Sequence, residues 1–253
     1  MNIPRGASVQ TINTYQEVNR IAYLSPKTII CNFLRKNVID PRGRISTKSD
    51  SFIATASQTV FTLTPTTGKK FSHMESLTVN GSTKKLWRDF YIIQKSGQVV
   101  FFTGLTLSDA IIVNYGETSS NWIFTDKPDG KLDSLSFPRI NVKIVGNAAY
   151  RLGNFDAPVV GVPRFEIPIR CKEKQDNQIF TIDGLKYTGH DLAEYLSYQV
   201  TQAFENNESE LFPLLWGYNP VGMPTDIPFD DETQCHIKIV ECVMQGLDLG
   251  RLS

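Results

Sequence analysis

The chain has 253 residues, with 26 Lys and Arg against 26 Asp and Glu, so its formal net charge is zero. Hydrophobic residues make up 41% and aromatic residues 11%, enough for a packed core. This balance argues against wholesale disorder and against an electrostatic footprint for bulk nucleic-acid or headgroup binding, and no stretch approaches the ~20 apolar residues of a membrane-spanning helix. The N-terminal Met1-Asn2-Ile3-Pro4-Arg5-Gly6 lacks an apolar core, so a secretory signal is not expected. Cys31, Cys171, Cys235 and Cys242 are widely spaced and read as reduced structural thiols. One or two soluble globular domains are expected.

Thr11 to Leu24 has Tyr15, Val18, Ile21 and Ala22 at roughly helical spacing, an arm or short helix. Ser25-Pro26 reads as an N-cap followed by proline at the first helical position. Ile29, Ile30, Phe33, Leu34 and Val38 then share one face, and Asp40-Pro41 and Gly43 end the helix. Arg35, Lys36 and Arg42 lie where they would complement the helix dipole.

From about Ser51 the period becomes two. Val60–Leu63, Ser76–Val79, Phe90–Ile93, Val99–Phe102 and Ala110–Tyr115 read as strands, separated by turns at Thr67-Gly68, Asn80-Gly81, Ser96-Gly97 and Leu107-Ser108-Asp109. Lys95-Ser96-Gly97-Gln98 signals a hairpin. Such spacing suggests a β-sandwich or small barrel, with Glu117 to Ser120 as a polar exit linker.

Beyond Asn121 the pattern changes again. Pro128-Asp129-Gly130 is a turn, and Ile140, Val142 and Ile144 alternate on one strand. Phe165 to Arg170 is a second strand, its Pro168 favouring an edge or bulge. Gly146 to Pro163 reads as a long loop. Thr188-Gly189-His190-Asp191 is a weak capping box before a helix with Leu192, Leu196, Val200 and Ala203 inward. Pro220, Pro224 and Pro228 break the next stretch, and Cys235 to Val243 is a closing strand. The expected class is α+β: a small mixed or antiparallel sheet with two flanking helices, interrupted by a sandwich-like all-β unit. Residues 1–48 and 119–253 form the core domain and 49–118 the inserted unit. Pattern alone leaves insertion and two sequential domains open.

Signals for chemistry are sparse. His73, His190 and His236 fall in a turn, a helix start and a strand, without metal-ligand spacing. Cys235-His236 in a strand points to opposite faces. No nucleophile elbow, dinucleotide fingerprint or phosphate loop occurs. Asp230-Asp231-Glu232 could suggest a cation site, but a solvated loop is the simpler account. Lys69-Lys70 and Lys84-Lys85 read as solvated turns, and Trp87, Trp122 and Trp216 as packing residues. No catalytic, cofactor-binding or metal residue is named, and the chain is not expected to be an enzyme.

Trp122-Ile123-Phe124-Thr125-Asp126-Lys127-Pro128 and Phe137-Pro138-Arg139-Ile140-Asn141-Val142 resemble segments of tail terminator (tail completion) proteins of long-tailed bacterial and archaeal viruses. The resemblance covers roughly residues 25–45 and 120–246. Phe52 to Phe61, Val79-Asn80-Gly81 and Asp109 to Tyr115 resemble small β modules of tail fibres, which favours insertion. The resemblance implies a virion protein, made in the host cytoplasm, that forms a ring, typically a hexamer. The ring would cap the tail tube and join head-completion or connector proteins at the head–tail junction. Viral DNA would pass its lumen without specific contact, and no membrane is involved. Arg151, Asn154, Phe155, Asp156 and Arg164 on the 146–163 loop are the candidate interface residues. Alternatives are another neck or tail-completion protein, or a host-glycan module with Phe71, Trp87 and Tyr91 lining a groove.

Overall fold

A computed structural model describes residues 26–86, 88–94, 96–125, 137–151, 159–172, 180–182, 184–211, 215–230 and 234–247. The Thr11–Leu24 arm, the Pro128-Asp129-Gly130 turn and Trp87 lie outside them.

Helix α1 (Pro26–Asn37) buries Ile29, Ile30, Phe33 and Leu34, the stripe its periodicity predicts. Seven strands follow: β1 (Ile45–Ile53), β2 (Val60–Thr62), β3 (Lys70–Val79), β4 (Ser82–Thr83), β5 (Phe90–Ile93), β6 (Gln98–Phe101) and β7 (Ala110–Thr118). They form a four-stranded sheet ordered β1-β7-β3-β4 and a three-stranded sheet ordered β2-β6-β5. Both sheets contribute to one core, with Leu77, Val113 and Tyr115 from the first and Phe61, Phe90 and Val99 from the second. Asn80 and Gly81, at φ 50° and 76°, make the two-residue turn between β3 and β4 that the Asn-Gly pair predicts. The hairpin expected at 95–98 joins β5 to β6.

The remaining strands are β8 (Ile123–Phe124), β9 (Arg139–Asn141), β10 (Lys143–Arg151), β11 (Val159–Lys172), β12 (Phe180–Ile182), β13 (Leu185–Tyr187), β14 (Leu215–Pro220), β15 (Thr225–Asp230) and β16 (Cys235–Leu247). Helix α2 (Gly189–Asn207) follows β13. In the seven-stranded sheet, β16 and β11 lie at the centre. β9 and β10 pair end to end along one side of β11, and β14 and β15 along the far side of β16. β8 adds to β9 as the one parallel pair among the described residues. Both helices share a second core with one face of this sheet, where Phe165, Ile167 and Ile169 of β11 meet Val240, Cys242 and Met244 of β16.

The α+β expectation, a small sheet with two flanking helices, is corrected by this architecture. The molecule is mostly β, with sixteen strands in four sheets and only two α-helices among the described residues. Among the strands that escaped sequence reading, three are polar or interrupted: Ile-Ser-Thr-Lys-Ser-Asp-Ser-Phe-Ile of β1, Leu-Trp-Gly-Tyr-Asn-Pro of β14 and Thr-Asp-Ile-Pro-Phe-Asp of β15. β1, β14 and β15 each pair on one side only, so alternation is weakly enforced there. Four local readings also change. Pro168, expected at an edge or bulge, lies in the central strand β11, in unbroken register with Ile239 of β16. Glu117 and Thr118 are buried in β7 rather than forming a linker, and His73 is buried in β3 rather than sitting in a turn. Thr188 occupies the N-cap of α2 but makes no side-chain cap bond, so the predicted capping box is not formed.

Candidate functional site

The expected 146–163 loop is largely an arm of strand. β10 and β11 pair without interruption from Gly146↔Arg164 to Arg151↔Val159, six pairs beyond the last core residue of β11, Phe165. The loop signals Gly153-Asn154 and Ala157-Pro158 lie outside the described residues, and the strand pairs flank them. Arg151 ends β10, whereas Asn154, Phe155 and Asp156 lie outside the described residues. Arg164 is exposed and its Nη2 sits 2.5 Å from Glu241 Oε2, so this side chain is engaged within its own sheet.

The arm leaves β10 with a single neighbouring strand among the described residues. A register break at Val145 marks a bulge, and Val145 is 46% exposed. From Gly146 to Arg151 this edge contains no proline and no charge before Arg151. The opposite edge of the sheet is different. β14 and β15 carry register breaks and Pro220 and Pro228, features that blunt an edge against ladder pairing. Between them Val221 and Met223 are exposed, Met223 at 89%. Among the described residues the sheet thus has one open edge and one proline-blunted, apolar edge.

The two cores meet at a polar joint. Arg35 is buried and donates from Nε and Nη2 to the Ile123 carbonyl at 3.1 and 2.5 Å, and from Nη1 to the Ser72 carbonyl at 3.3 Å. Burial lowers its pKa. This corrects the dipole role expected for Arg35. Lys36 instead pairs with Glu210 at 2.7 Å. Gln94 bonds Asn32 and reaches the same Ser72 carbonyl. Beside the joint lies a cleft of about 340 Å³, lined by Phe33, Glu75, Leu77 and Lys85 among others. Ile45 pairs with Thr118, so the chain enters and leaves the β1–β7 unit at neighbouring points.

Within that unit the buried charges are paired. Asp50 accepts hydrogen bonds from Thr64 N at 2.6 Å, Thr64 Oγ1 at 3.0 Å and the Tyr115 hydroxyl at 3.0 Å. Burial and the bond to Asp50 push the Tyr115 hydroxyl up. For Glu117 burial acts upward, but bonds from Thr66 N, Thr66 Oγ1 and Lys69 outweigh it and hold the carboxyl at about 2. The glycan groove loses its expected lining: Phe71 is buried in the core and Tyr91 packs against Phe102, while Trp87 lies outside the described residues.

A cluster on α2 and β15 was not foreseen. His190, Glu194 and Asp226 hold their ligand-type atoms within 4.8 Å of one another, all three exposed. His190 and Glu194 are one helical turn apart, and strand pairing sets Asp226 opposite Lys238. The Lys238 ammonium pairs with Glu194 and lies 3.5 Å from Asp226, so it supplies the positive charge that a cation would bring. Of the acidic run 230–232, only Asp230 is among the described residues, at the end of β15. Cys31, Cys171, Cys235 and Cys242 are buried thiols, none of them in a disulfide. No helix among the described residues is long and apolar enough to cross a membrane. Comparison with protein-family models and with curated proteins finds no match to this chain.

Proposed function

We propose that this chain is a non-enzymatic structural virion protein of the head–tail junction, forming a ring that terminates the tail tube and joins it to the neck. The observation that carries this reading is the asymmetry of the seven-stranded sheet, open along the β10 arm and blunted but apolar at Val221 and Met223. An open strand edge is a template for another chain. Two different edges meeting head to tail make a heterologous contact, which closes into a ring when the rotation allows. The zero net charge agrees with a lumen that DNA crosses without specific attachment.

The resemblance at Trp122–Pro128 and Phe137–Val142 gives this ring its place on the tail tube, and the β1–β7 unit is read as an inserted outward module. The adjacency of Ile45 and Thr118 supports insertion, since a unit with neighbouring ends can be placed in a surface connection without parting the host core. Negative-stain electron microscopy of the purified protein tests the reading. Closed particles with a central hole are expected, six copies round. Isolated monomers at every concentration would count against it.

A further inference from the structure

Strand pairing sets two arginines directly against each other: Arg139 of β9 is in register with Arg170 of β11. Their strand neighbours Ile140 and Ile169 point into the helix-covered core, so both arginines lie on the opposite face of the sheet. Like charges at directly opposed strand positions repel. The arrangement is also buried. Arg139 is 2% exposed, and its Nε and Nη1 atoms have no hydrogen-bond partner. Those two nitrogens carry three N–H donors. A buried guanidinium with idle donors is among the costlier states a side chain can adopt. Burial, with Arg170 adding to it and Cys235 opposing, lowers Arg139 to about 10.

The surroundings add charge of the same sign. Lys172 lies two residues beyond Arg170 on the same face, and its Nζ sits 5.1 Å from the centre of the Phe137 ring. The Arg139 guanidinium is 5.4 Å from the same ring. Arg170 and Lys172 are only half-buried, so these two cations reach solvent beside the buried guanidinium. Arg170 donates to Asn141 Oδ1 at 3.3 Å, and Asp230 acts on it electrostatically. Three cations against one carboxylate, 3 − 1, leave two positive charges among the described residues at this spot.

We infer that Arg139, Arg170 and Lys172 form a binding site for a small, doubly charged oxyanion of the phosphate and sulfate class. The ligand accepts the idle Arg139 donors, offsets the Arg139–Arg170 repulsion and neutralises the local excess. A small ligand fits better than a nucleic-acid strand, because the principal donor is buried and the protein as a whole is neutral.

Thermal unfolding of the full chain in phosphate or sulfate, against chloride at equal ionic strength, tests the site. Glycerol 3-phosphate added in parallel separates a free oxyanion from an esterified one. Phosphate is expected to raise the Tm by about 4 °C over chloride at saturating concentration. Arg139→Met should abolish that increment while leaving the Tm in chloride at or above the wild-type value, because a buried unpaired charge is removed. Arg170→Gln should weaken the response at least tenfold in midpoint. An equal Tm in phosphate and chloride overturns the proposal, as does a full phosphate response in Arg139→Met. Should Arg139→Met fail to fold, Arg170→Gln and phosphorus-31 line broadening on the wild-type protein decide: no broadening, or equal broadening by both proteins, overturns it.

Discussion

The β1–β7 unit and the β9–β11 side of the seven-stranded sheet treat buried charge in opposite ways. In the first, Asp50 and Glu117 are fully bonded by Thr64, Tyr115, Thr66 and Lys69. In the second, Arg139 is buried with idle donors opposite a second arginine, and β10 has a single neighbouring strand among the described residues. A satisfied network fixes one structure; unsatisfied donors and an open edge are groups that a ligand or a second chain can complete. The difference separates a region whose buried polar groups are satisfied internally from one where they are not.

The joint between the two regions is where the largest effect is expected. Arg35→Ala leaves the Ile123 carbonyl without its side-chain donor, removes one of two donors to the Ser72 carbonyl and opens a void, costing about 3 kcal/mol or more in urea unfolding. If the regions are coupled only there, the unfolding transition should also split in two. Next is Gly116→Ala in β7. A Cβ at Gly116 would lie 2.3 Å from His73 Cε1, and the His73 ring is buried, so overpacking should cost about 2 to 3 kcal/mol with the β1–β7 core affected first.

Glu117→Ala should cost about 2 kcal/mol at neutral pH, because the Thr66 donors lose their acceptor. Its pH dependence sharpens the contrast. Glu117 is held at about 2 against an ordinary 4.5, so its contribution is complete above 4.5 and fades as pH falls toward 2. Wild-type stability should decline across that window more steeply than that of Glu117→Gln, as read by urea midpoints at several pH values. The smallest effect is a gain. Thr188→Asp places a stronger cap at an N-cap in extended conformation with no side-chain bond, and should stabilise α2 by about 0.5 to 1 kcal/mol in thermal unfolding.

Local signals were legible in the sequence. The Asn80-Gly81 turn, the 95–98 hairpin and the inward stripes of both helices depend on neighbours a few residues away, and the structure has each of them. The polar strands were not legible, because β1 is held by β7 far along the chain and β15 is interrupted by Pro228 and a register break, so neither shows its own alternation. The same holds for the sites. Arg35 reads as a helix-end cation until Ser72 and Ile123 bring their carbonyls to it. Arg139 reads as an ordinary outward strand residue until the register puts Arg170 against it. The His190, Glu194 and Asp226 cluster needs α2 laid over β15, which no spacing rule predicts. The arm was missed because the turn signals Gly153-Asn154 and Ala157-Pro158 made the whole 146–163 segment read as loop.

Ring closure through the β10 edge is tested most directly by native mass spectrometry of the wild-type protein and Gly146→Lys across one concentration series. A Cβ at Gly146 meets nothing within 4 Å, so the substitution leaves the fold intact while placing a charge on the open edge. A closed species of six wild-type copies, with Gly146→Lys monomeric at an unchanged Tm, is the predicted result. A monomeric wild-type protein throughout, or the same closed species in both proteins, would contradict it.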